Sequence, residues 1–329
     1  MMQAVIMAGG KGTRLAALTK DEIPKPMVPV AGKPLLLWQV ERLKENGITD
    51  IIMVIGHLGN KIREYFGDGE KFGIAIRYFE ETEPLGTAGS FYYLKDMIHG
   101  DRFVMMSGDL FFDIDFQRMI HFHEEKGAVA TLFVHPNGHP FDSDLLVLDK
   151  DDKITAFDSK HNVRDYWYEN CVNAGIFVFE KKICDYVPEP VKRNLENDVI
   201  KGMLETGEPI YGYCSPEYVK DVGTVDRVNQ TLADIERGVI AGKCLKNKQR
   251  CIFMDRDGTI NQYKGLVYKE EDFTLENCAV DAEDQPVGKT RNRYHEPAGG
   301  CAGTLRDRKC GKHSQKDGNT SRKRGSVPG

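Results

Sequence analysis

Residues 3–7, Gln-Ala-Val-Ile-Met, run without a break into Ala8-Gly9-Gly10-Lys11-Gly12-Thr13-Arg14-Leu15. An apolar run ending in three glycines reads as a strand that enters a turn, and no other feature constrains the fold as much. With no Cβ at Gly9, Gly10 and Gly12, backbone N–H groups can come up against the oxygens of a phosphate, and Arg14 adds a planar fork of donors. The turn departs from the Walker A pattern, having no Gly-Lys-Ser/Thr at the required offset. It departs from GxGxxG as well, because Leu15 stands where the third glycine belongs. Both departures argue against a P-loop ATPase and a dinucleotide oxidoreductase.

Beyond the turn, short apolar runs alternate with helical patterns. Strands are expected at 4–7, 51–55, 74–79 and 103–106, with helices at 34–46 and 61–66. This rhythm predicts a Rossmann-like α/β fold with a mixed, mostly parallel sheet. Leu36, Leu37, Val40 and Leu43 recur at helical spacing and read as core, and Gly47 is a natural stop. The strand at 103–106 leads into Ser107-Gly108-Asp109, which sets a carboxylate at a strand's C-terminal end, where ligands of open α/β sheets gather. Further strands are expected at 128–134, 145–148, 154–157 and 172–179. A helix over 226–237 closes a first unit at residues 1–245, and a short fragment at 246–283 restarts with an apolar run at 251–254.

The charge balance separates a third segment. Residues 284–329 hold 11 Lys or Arg against 4 Asp or Glu, so the net charge of −5 divides into +7 there and −12 on residues 1–283. With only Val287, Leu305 and Val327 as aliphatics larger than Ala, this tail is expected to be disordered. Tyr294 is its one aromatic, so it lacks a stacking platform and no nucleic-acid partner is expected. No apolar run reaches the ~20 residues of a membrane span, and no leader-like flank precedes residue 3, so no membrane partner and a cytoplasmic location are expected. The eight cysteines lack paired CxxC spacing and read as reduced thiols. Nothing in the sequence decides oligomeric state, and an oligomer stays open.

Two prolines fix the backbone around one lysine in Ile23-Pro24-Lys25-Pro26-Met27, which suits a phosphate contact. Together with the glycine turn, Gly32-Lys33-Pro34 and Glu83-Pro84-Leu85-Gly86-Thr87-Ala88-Gly89, this motif resembles the sugar-1-phosphate nucleotidylyltransferase family. The likeness covers residues 1 to about 240 and continues in Ser107-Gly108-Asp109, Lys160, Asn173-Ala174-Gly175 and Lys220-Asp221-Val222-Gly223-Thr224. It implies an enzyme that joins a nucleoside triphosphate to a sugar 1-phosphate and releases pyrophosphate. It also implies that Asp109 and Asp221 chelate Mg²⁺, with Arg14, Lys25 and Lys160 on the reacting phosphates. Gly9, Gly10, Gly12, Thr13, Glu81 and Gly86 are implied for the nucleotide, and Asn173 and Gly175 for the sugar. Around Lys160 the family's acid and proline are replaced by Ser159 and His161.

The residues before the second glycine turn bear on the base. An ionised carboxylate only accepts hydrogen bonds, and guanine offers the adjacent donors N1–H and N2–H₂. Glu81 therefore favours GTP, and the segment most resembles mannose-1-phosphate and D-glycero-D-manno-heptose 1-phosphate guanylyltransferases, which feed surface glycan synthesis. Downstream, Asp255-Arg256-Asp257-Gly258-Thr259 resembles the first motif of the haloacid dehalogenase phosphatases, close to those acting on heptose bisphosphate or histidinol phosphate. The later motifs of that superfamily are not recognisable, so Asp255 and Asp257 read as vestigial and the end as truncated or frame-shifted. Rival readings are a sugar phosphatase and a non-catalytic nucleotide-sugar binder. The full chain is expected not to hydrolyse heptose 1,7-bisphosphate, because a nucleophile and an acid without further cation-holding groups do not suffice. Phosphate release that disappears in Asp255→Ala would overturn this.

Overall fold

The computed structural model describes residues 2–10, 15, 19, 20, 22–138, 140–248, 250–265, 270–276 and 290–294. Gly12, Thr13 and Arg14 lie outside the described residues. In chain order the described strands are β1 (Gln3–Met7), β2 (Pro29–Val30), β3 (Lys33–Pro34), β4 (Asp50–Ile55), β5 (Ala75–Glu80), β6 (Arg102–Ser107), β7 (Leu110–Asp113), β8 (Ala130–His135), β9 (Leu145–Leu148), β10 (Ile154–Asp158), β11 (Val172–Glu180), β12 (Ile210–Cys214), β13 (Tyr218–Asp221), β14 (Arg250–Met254) and β15 (Thr290–Tyr294). Nine of them form one sheet in the order β10-β9-β11-β6-β1-β4-β5, with β8 also paired to β11 and β12 to β8.

The sheet is mixed and mostly parallel, as the alternation of strands and helices implies. β1 runs parallel to β4 and β6, β4 to β5, and β8 to β12. β11 lies antiparallel to β6, β8 and β9, and β10 lies antiparallel to β9, so β10 and β11 alone run against the common direction. Residues 51–55 of β4 are buried without interruption, as a strand covered on both faces requires. On one face Leu36, Val40 and Leu43 of the helix Leu35–Glu45 pack with Ile62, Phe66, Phe116 and Met119. The other face is filled by Phe91, Leu94, Val199 and Met203, with the Phe91, Phe103 and Phe179 rings 5.8 to 6.2 Å apart.

A smaller cluster decides where the loops go. Leu15, Val28, Val30, Leu35, Phe111, Tyr218, Val222 and Val228 are buried together, with the Trp38 ring 5.2 Å from Phe111. Trp38 also donates to the Val30 carbonyl at 2.8 Å. Removing a buried aromatic such as Phe111 costs about 3–5 kcal/mol, so this cluster, Leu15 included, is tied firmly to the two-stranded ladder of β7 and β13. A second tie joins distant segments: Glu217 Oε1 accepts from the N–H groups of Asp115 and Leu245, both at 2.8 Å.

Two strands add to the sequence expectation. β15 pairs in parallel with β14, register Arg250 to Thr290 through Met254 to Tyr294. An apolar strand with a free backbone edge is a template for pairing, whatever the side chains of its partner. The sheet also gains β12, whose run Ile-Tyr-Gly-Tyr-Cys carries a glycine that weakens a strand pattern. Gly212 is needed there, since a Cβ would collide with the Leu148 side chain.

One buried titratable group sets a pH limit on this fold. His123 is 1% exposed, with Nδ1 2.8 Å from Thr131 Oγ1 and Nε2 3.3 Å from Glu180 Oε1. Burial pulls its pKa below the ordinary 6.5, against the opposing pull of Glu180 and Glu124 and with a further push from Arg102. The unfolded histidine takes up a proton near 6.5 and the folded one only at lower pH, so this stabilisation is complete above 6.5 and is lost as pH falls toward the folded value. Urea unfolding between pH 7 and 5 should therefore give a fall in stability of up to ~1.4 kcal/mol per pH unit from this site. His123→Gln should flatten that slope, and an unchanged slope would remove His123 as its source.

Candidate active site

The C-terminal ends of the parallel strands bring the glycine turn, Lys25 and two aspartates together. Gly108 donates from its N–H to the Met7 carbonyl at 2.8 Å, and a Cβ there would lie 2.9 Å from that oxygen. Only glycine lets the chain after β6 cross so close over the end of β1. The next residue, Asp109, leads into β7, and its carbonyl accepts from Val222 N–H at 2.9 Å. Because β7 and β13 pair with Leu110 opposite Asp221, the two aspartates meet at one end of that ladder.

Between them stands Lys25. Pro24 and Pro26 hold it at the start of the 3₁₀ turn Lys25–Met27, and its side chain is 10% exposed. The ammonium donates to Asp109 Oδ2 and lies 3.9 Å from Asp221 Oδ1. Burial pushes the Asp109 carboxyl up, but Lys25 and the Ser107 hydroxyl, which donates to Oδ1 at 2.6 Å, outweigh it and hold the group below the usual carboxylate range. Asp221 Oδ2 accepts from Arg227 at 2.5 Å, while Oδ1 is buried and accepts no hydrogen bond. A Cβ at Gly223 would sit 2.6 Å from that oxygen. A buried orphan oxygen beside space that only glycine leaves open fits a cation. Mg²⁺ suits the pair, since it takes one or two carboxylates and fills its shell with phosphate oxygens and water. Among the described residues no group of three or more His, Cys, Asp or Glu forms a self-sufficient metal cage.

On one side of this centre lies Glu81. Its N–H donates to the Ile55 carbonyl at 2.8 Å, which carries it just past β5. A Cβ on Gly9 would lie 3.0 Å from Glu81 Oε2 and 3.4 Å from Gly56 N, so the first glycine turn and this carboxylate share one wall. Glu81 Oε1 is buried with no partner, and burial raises its pKa in spite of the Leu85 N–H. Gly10 is exposed with open space around its Cα.

The other side is built on a bulge. β11 shifts register against β8 between Asn173 and Phe177, and Gly175 takes φ +75° there, with its N–H on Asn173 Oδ1 at 3.1 Å. A Cβ at Gly175 would touch Leu110 and Ser107, so the bulge abuts the Asp109 turn. Asn173 Nδ2 donates to Glu196 Oε1 at 3.4 Å, and burial, followed by the neighbouring Asp144 charge, raises Glu196. Asp144 Oδ1 in turn accepts from the Lys160 N–H at 2.9 Å. Lys160 is exposed and belongs to this second group rather than to the Lys25 centre. Gly86, at φ +76°, bridges to Arg193, whose carbonyl would collide with a Cβ at 86, and Thr87 Oγ1 accepts from Leu195 N–H at 2.7 Å. That loop thereby spans both sides. Asp255 and Asp257 stand apart, Asp257 accepting from Arg256 Nε and NH2 at 2.9 and 3.1 Å and from Asn261 at 3.0 Å.

A family model described as nucleotidyl transferase matches residues 3–238. The chain belongs to the nucleotidyl transferase family. A UTP–glucose-1-phosphate uridylyltransferase of Synechocystis is 32% identical over 261 residues, covering 75% of this nucleotidyl transferase and 66% of its relative. A mannose-1-phosphate guanylyltransferase of Mycobacterium tuberculosis is 32% identical over 246 residues, covering 74% and 67%. The chain thus spans about two thirds of the length of these curated relatives. The crystal structure of HddC from Yersinia pseudotuberculosis complexed with GMP-PN superposes with a TM-score of 0.61 at 24% identity, over 71% of this chain and 100% of that one, a likeness of fold.

Ser107, Glu196 and Arg227 touch this site without having been singled out as site residues in the sequence. The signal available for Arg227 was Thr224, a helix cap three residues before it. Lys25→Met should cost on the order of 2 kcal/mol at pH 7, less than the ~3–5 of a fully buried pair because Asp109 is 25% exposed. Without the ammonium, burial would lift the folded Asp109 above its unfolded pKa, so the deficit should shrink as pH falls toward 4. Urea titrations of both proteins at pH 7 and 4.5 check this, and a deficit that does not shrink would refute it.

Proposed function

We propose that the chain transfers a nucleoside monophosphate from a triphosphate, GTP by preference, to a sugar 1-phosphate of the heptose or mannose type, yielding a nucleotide sugar for surface glycans and pyrophosphate. The observation that carries this reading is the pair of converging oxygens, Asp109 Oδ2 and Asp221 Oδ1, facing one ammonium beside the glycine turn. Relatives that transfer uridylyl and guanylyl groups fit the reaction class, and the choice of base rests on Glu81. Its buried, unpartnered Oε1 lies on the wall shared with Gly9. Guanine supplies two adjacent donors to such a carboxylate, whereas uracil supplies one donor flanked by carbonyls that repel it.

In this reading a sugar phosphate oxygen, already ionised at neutral pH, attacks the α-phosphorus in line. The new P–O bond forms as the bond to the β-phosphate oxygen breaks, and no protein nucleophile or proton transfer is required. Mg²⁺, held by Asp109 and Asp221, supplies charge neutralisation on the triphosphate. Lys25 contacts the reacting phosphates, Arg14 receives the pyrophosphate, and Gly9, Gly10, Gly12, Thr13 and Gly86 line the nucleotide with backbone. Lys160 clamps the sugar phosphate, and Asn173 and Gly175 meet the sugar, next to Glu196. Catalysis is then positioning and electrostatics. Oligomerisation is not required by any of these roles.

Pyrophosphate release with a panel of triphosphates and sugar phosphates tests the reading. GTP with a heptose or mannose 1-phosphate should lead the panel. Glu81→Gln should weaken GTP use by the equivalent of about 1–3 kcal/mol, the cost of an unpaired buried donor. Preference for UTP or dTTP in the unmodified chain would overturn the base assignment, and no release with any pair would overturn the transferase.

A further inference from the structure

At the Lys25 centre each carboxylate has one oxygen held by a donor other than Lys25. Ser107 Oγ donates to Asp109 Oδ1 at 2.6 Å, and Arg227 NH1 donates to Asp221 Oδ2 at 2.5 Å. The other oxygens face Lys25: Asp109 Oδ2 accepts from its ammonium, and Asp221 Oδ1 lies 3.9 Å from it with no hydrogen bond of its own. Both donors start from anchored backbone. Ser107 is the last residue of β6, held in register opposite Met7. Arg227 is the third residue of the helix Val225–Glu236, and its N–H sits on the capping Thr224 hydroxyl at 3.4 Å.

We propose that Arg227, with Ser107 as its counterpart, makes Asp221 and Asp109 one-oxygen ligands and so selects Mg²⁺ over Ca²⁺ at this site. This rests on the reading that the two aspartates hold the cation. Mg²⁺ demands a near-ideal octahedron at about 2.0–2.1 Å and accepts carboxylates one oxygen at a time, while Ca²⁺ takes six to eight oxygens at about 2.3–2.6 Å and gains from bidentate carboxylates. Holding the second oxygen of each aspartate on a fixed donor withholds the bidentate mode. Arg227 thereby acts as a positioning residue through Asp221. Its positive charge also weakens every divalent cation at the site to a similar degree, an effect that cancels in the ratio of two cations of equal charge.

The test measures that ratio. The full chain is loaded with Mn²⁺ in the presence of the α,β-methylene analogues of GTP and UTP, and bound Mn²⁺ is followed by electron paramagnetic resonance while Mg²⁺ or Ca²⁺ displaces it. Arg227→Gln should lower the preference for Mg²⁺ over Ca²⁺ about tenfold, mainly by tightening Ca²⁺. Ser107→Ala should move the ratio the same way, and Arg227→Lys, which restores a donor without the planar fork, should recover part of it. A ratio unchanged in Arg227→Gln, or both cations weakened equally, would overturn the proposal. Asp221→Asn separates this from the underlying reading. If that variant binds Mn²⁺ as the unmodified chain does, Asp221 is not a ligand, and the cation assignment falls with the proposal.

Discussion

A buried ammonium between two carboxylates is tolerable only if all three groups are held where they meet, and much of this structure is arranged to hold them. Lys25 donates to Asp109 and faces Asp221, yet the three residues arrive from separate parts of the chain. The prolines on either side of Lys25 leave its backbone little freedom. Gly108 lets the Asp109 turn lie on the end of β1, and the β7–β13 ladder brings Asp221 up to it. Beneath the ladder, the Phe111, Tyr218 and Val228 cluster supplies apolar burial that offsets the cost of withdrawing charge from water. Loosening any of these ties would leave a buried charge without its partner.

Much of this was legible in the residues, and the limit follows from range. The core strands β1, β4, β6 and β11 carry continuous apolar runs, which a strand covered on both faces must have, and they stand where the pattern predicts them. β7, Leu-Phe-Phe-Asp, and β13, Tyr-Val-Lys-Asp, are four residues each and end on a charge, so neither is long enough to show a period of its own. They are strands because they find each other across the chain. The motif residues Lys25, Asp109 and Asp221 could be named from local sequence, but that Lys25 stands between the aspartates is a fact of tertiary contact. Arg227 was opaque for a related reason. An arginine in the first turn of an amphipathic helix looks like a solvated charge until the preceding turn is seen to fold back under it.

The site has two differently made halves. Toward Glu81 the described wall is the ends of parallel strands, with Gly9 and Gly56 beside the carboxylate. Toward Asn173 they come from the antiparallel β11, where the bulge at Gly175 turns side chains such as Asn173 to face Glu196. The loop through Gly86 and Thr87 joins the halves by its contacts with Arg193 and Leu195. A parallel strand end offers a fixed and repeatable surface, suited to a common group such as phosphate. A bulge re-aims the side chains of an antiparallel strand, so this half meets its surroundings through side chains rather than through strand ends.

The pairing of β7 with β13 also bears on when the centre comes into being during synthesis. β7 has no place in the nine-stranded sheet, and its ladder partner is the strand made next after the last strand of that sheet. A nascent chain that stops short of residue 218 already contains all nine sheet strands, with Lys25 and Asp109 among the residues made. It lacks the second carboxylate and the helix that orients it. The sheet can therefore be complete in the growing polypeptide before the Lys25 centre is, and the second carboxylate joins it only once the β7–β13 ladder can form.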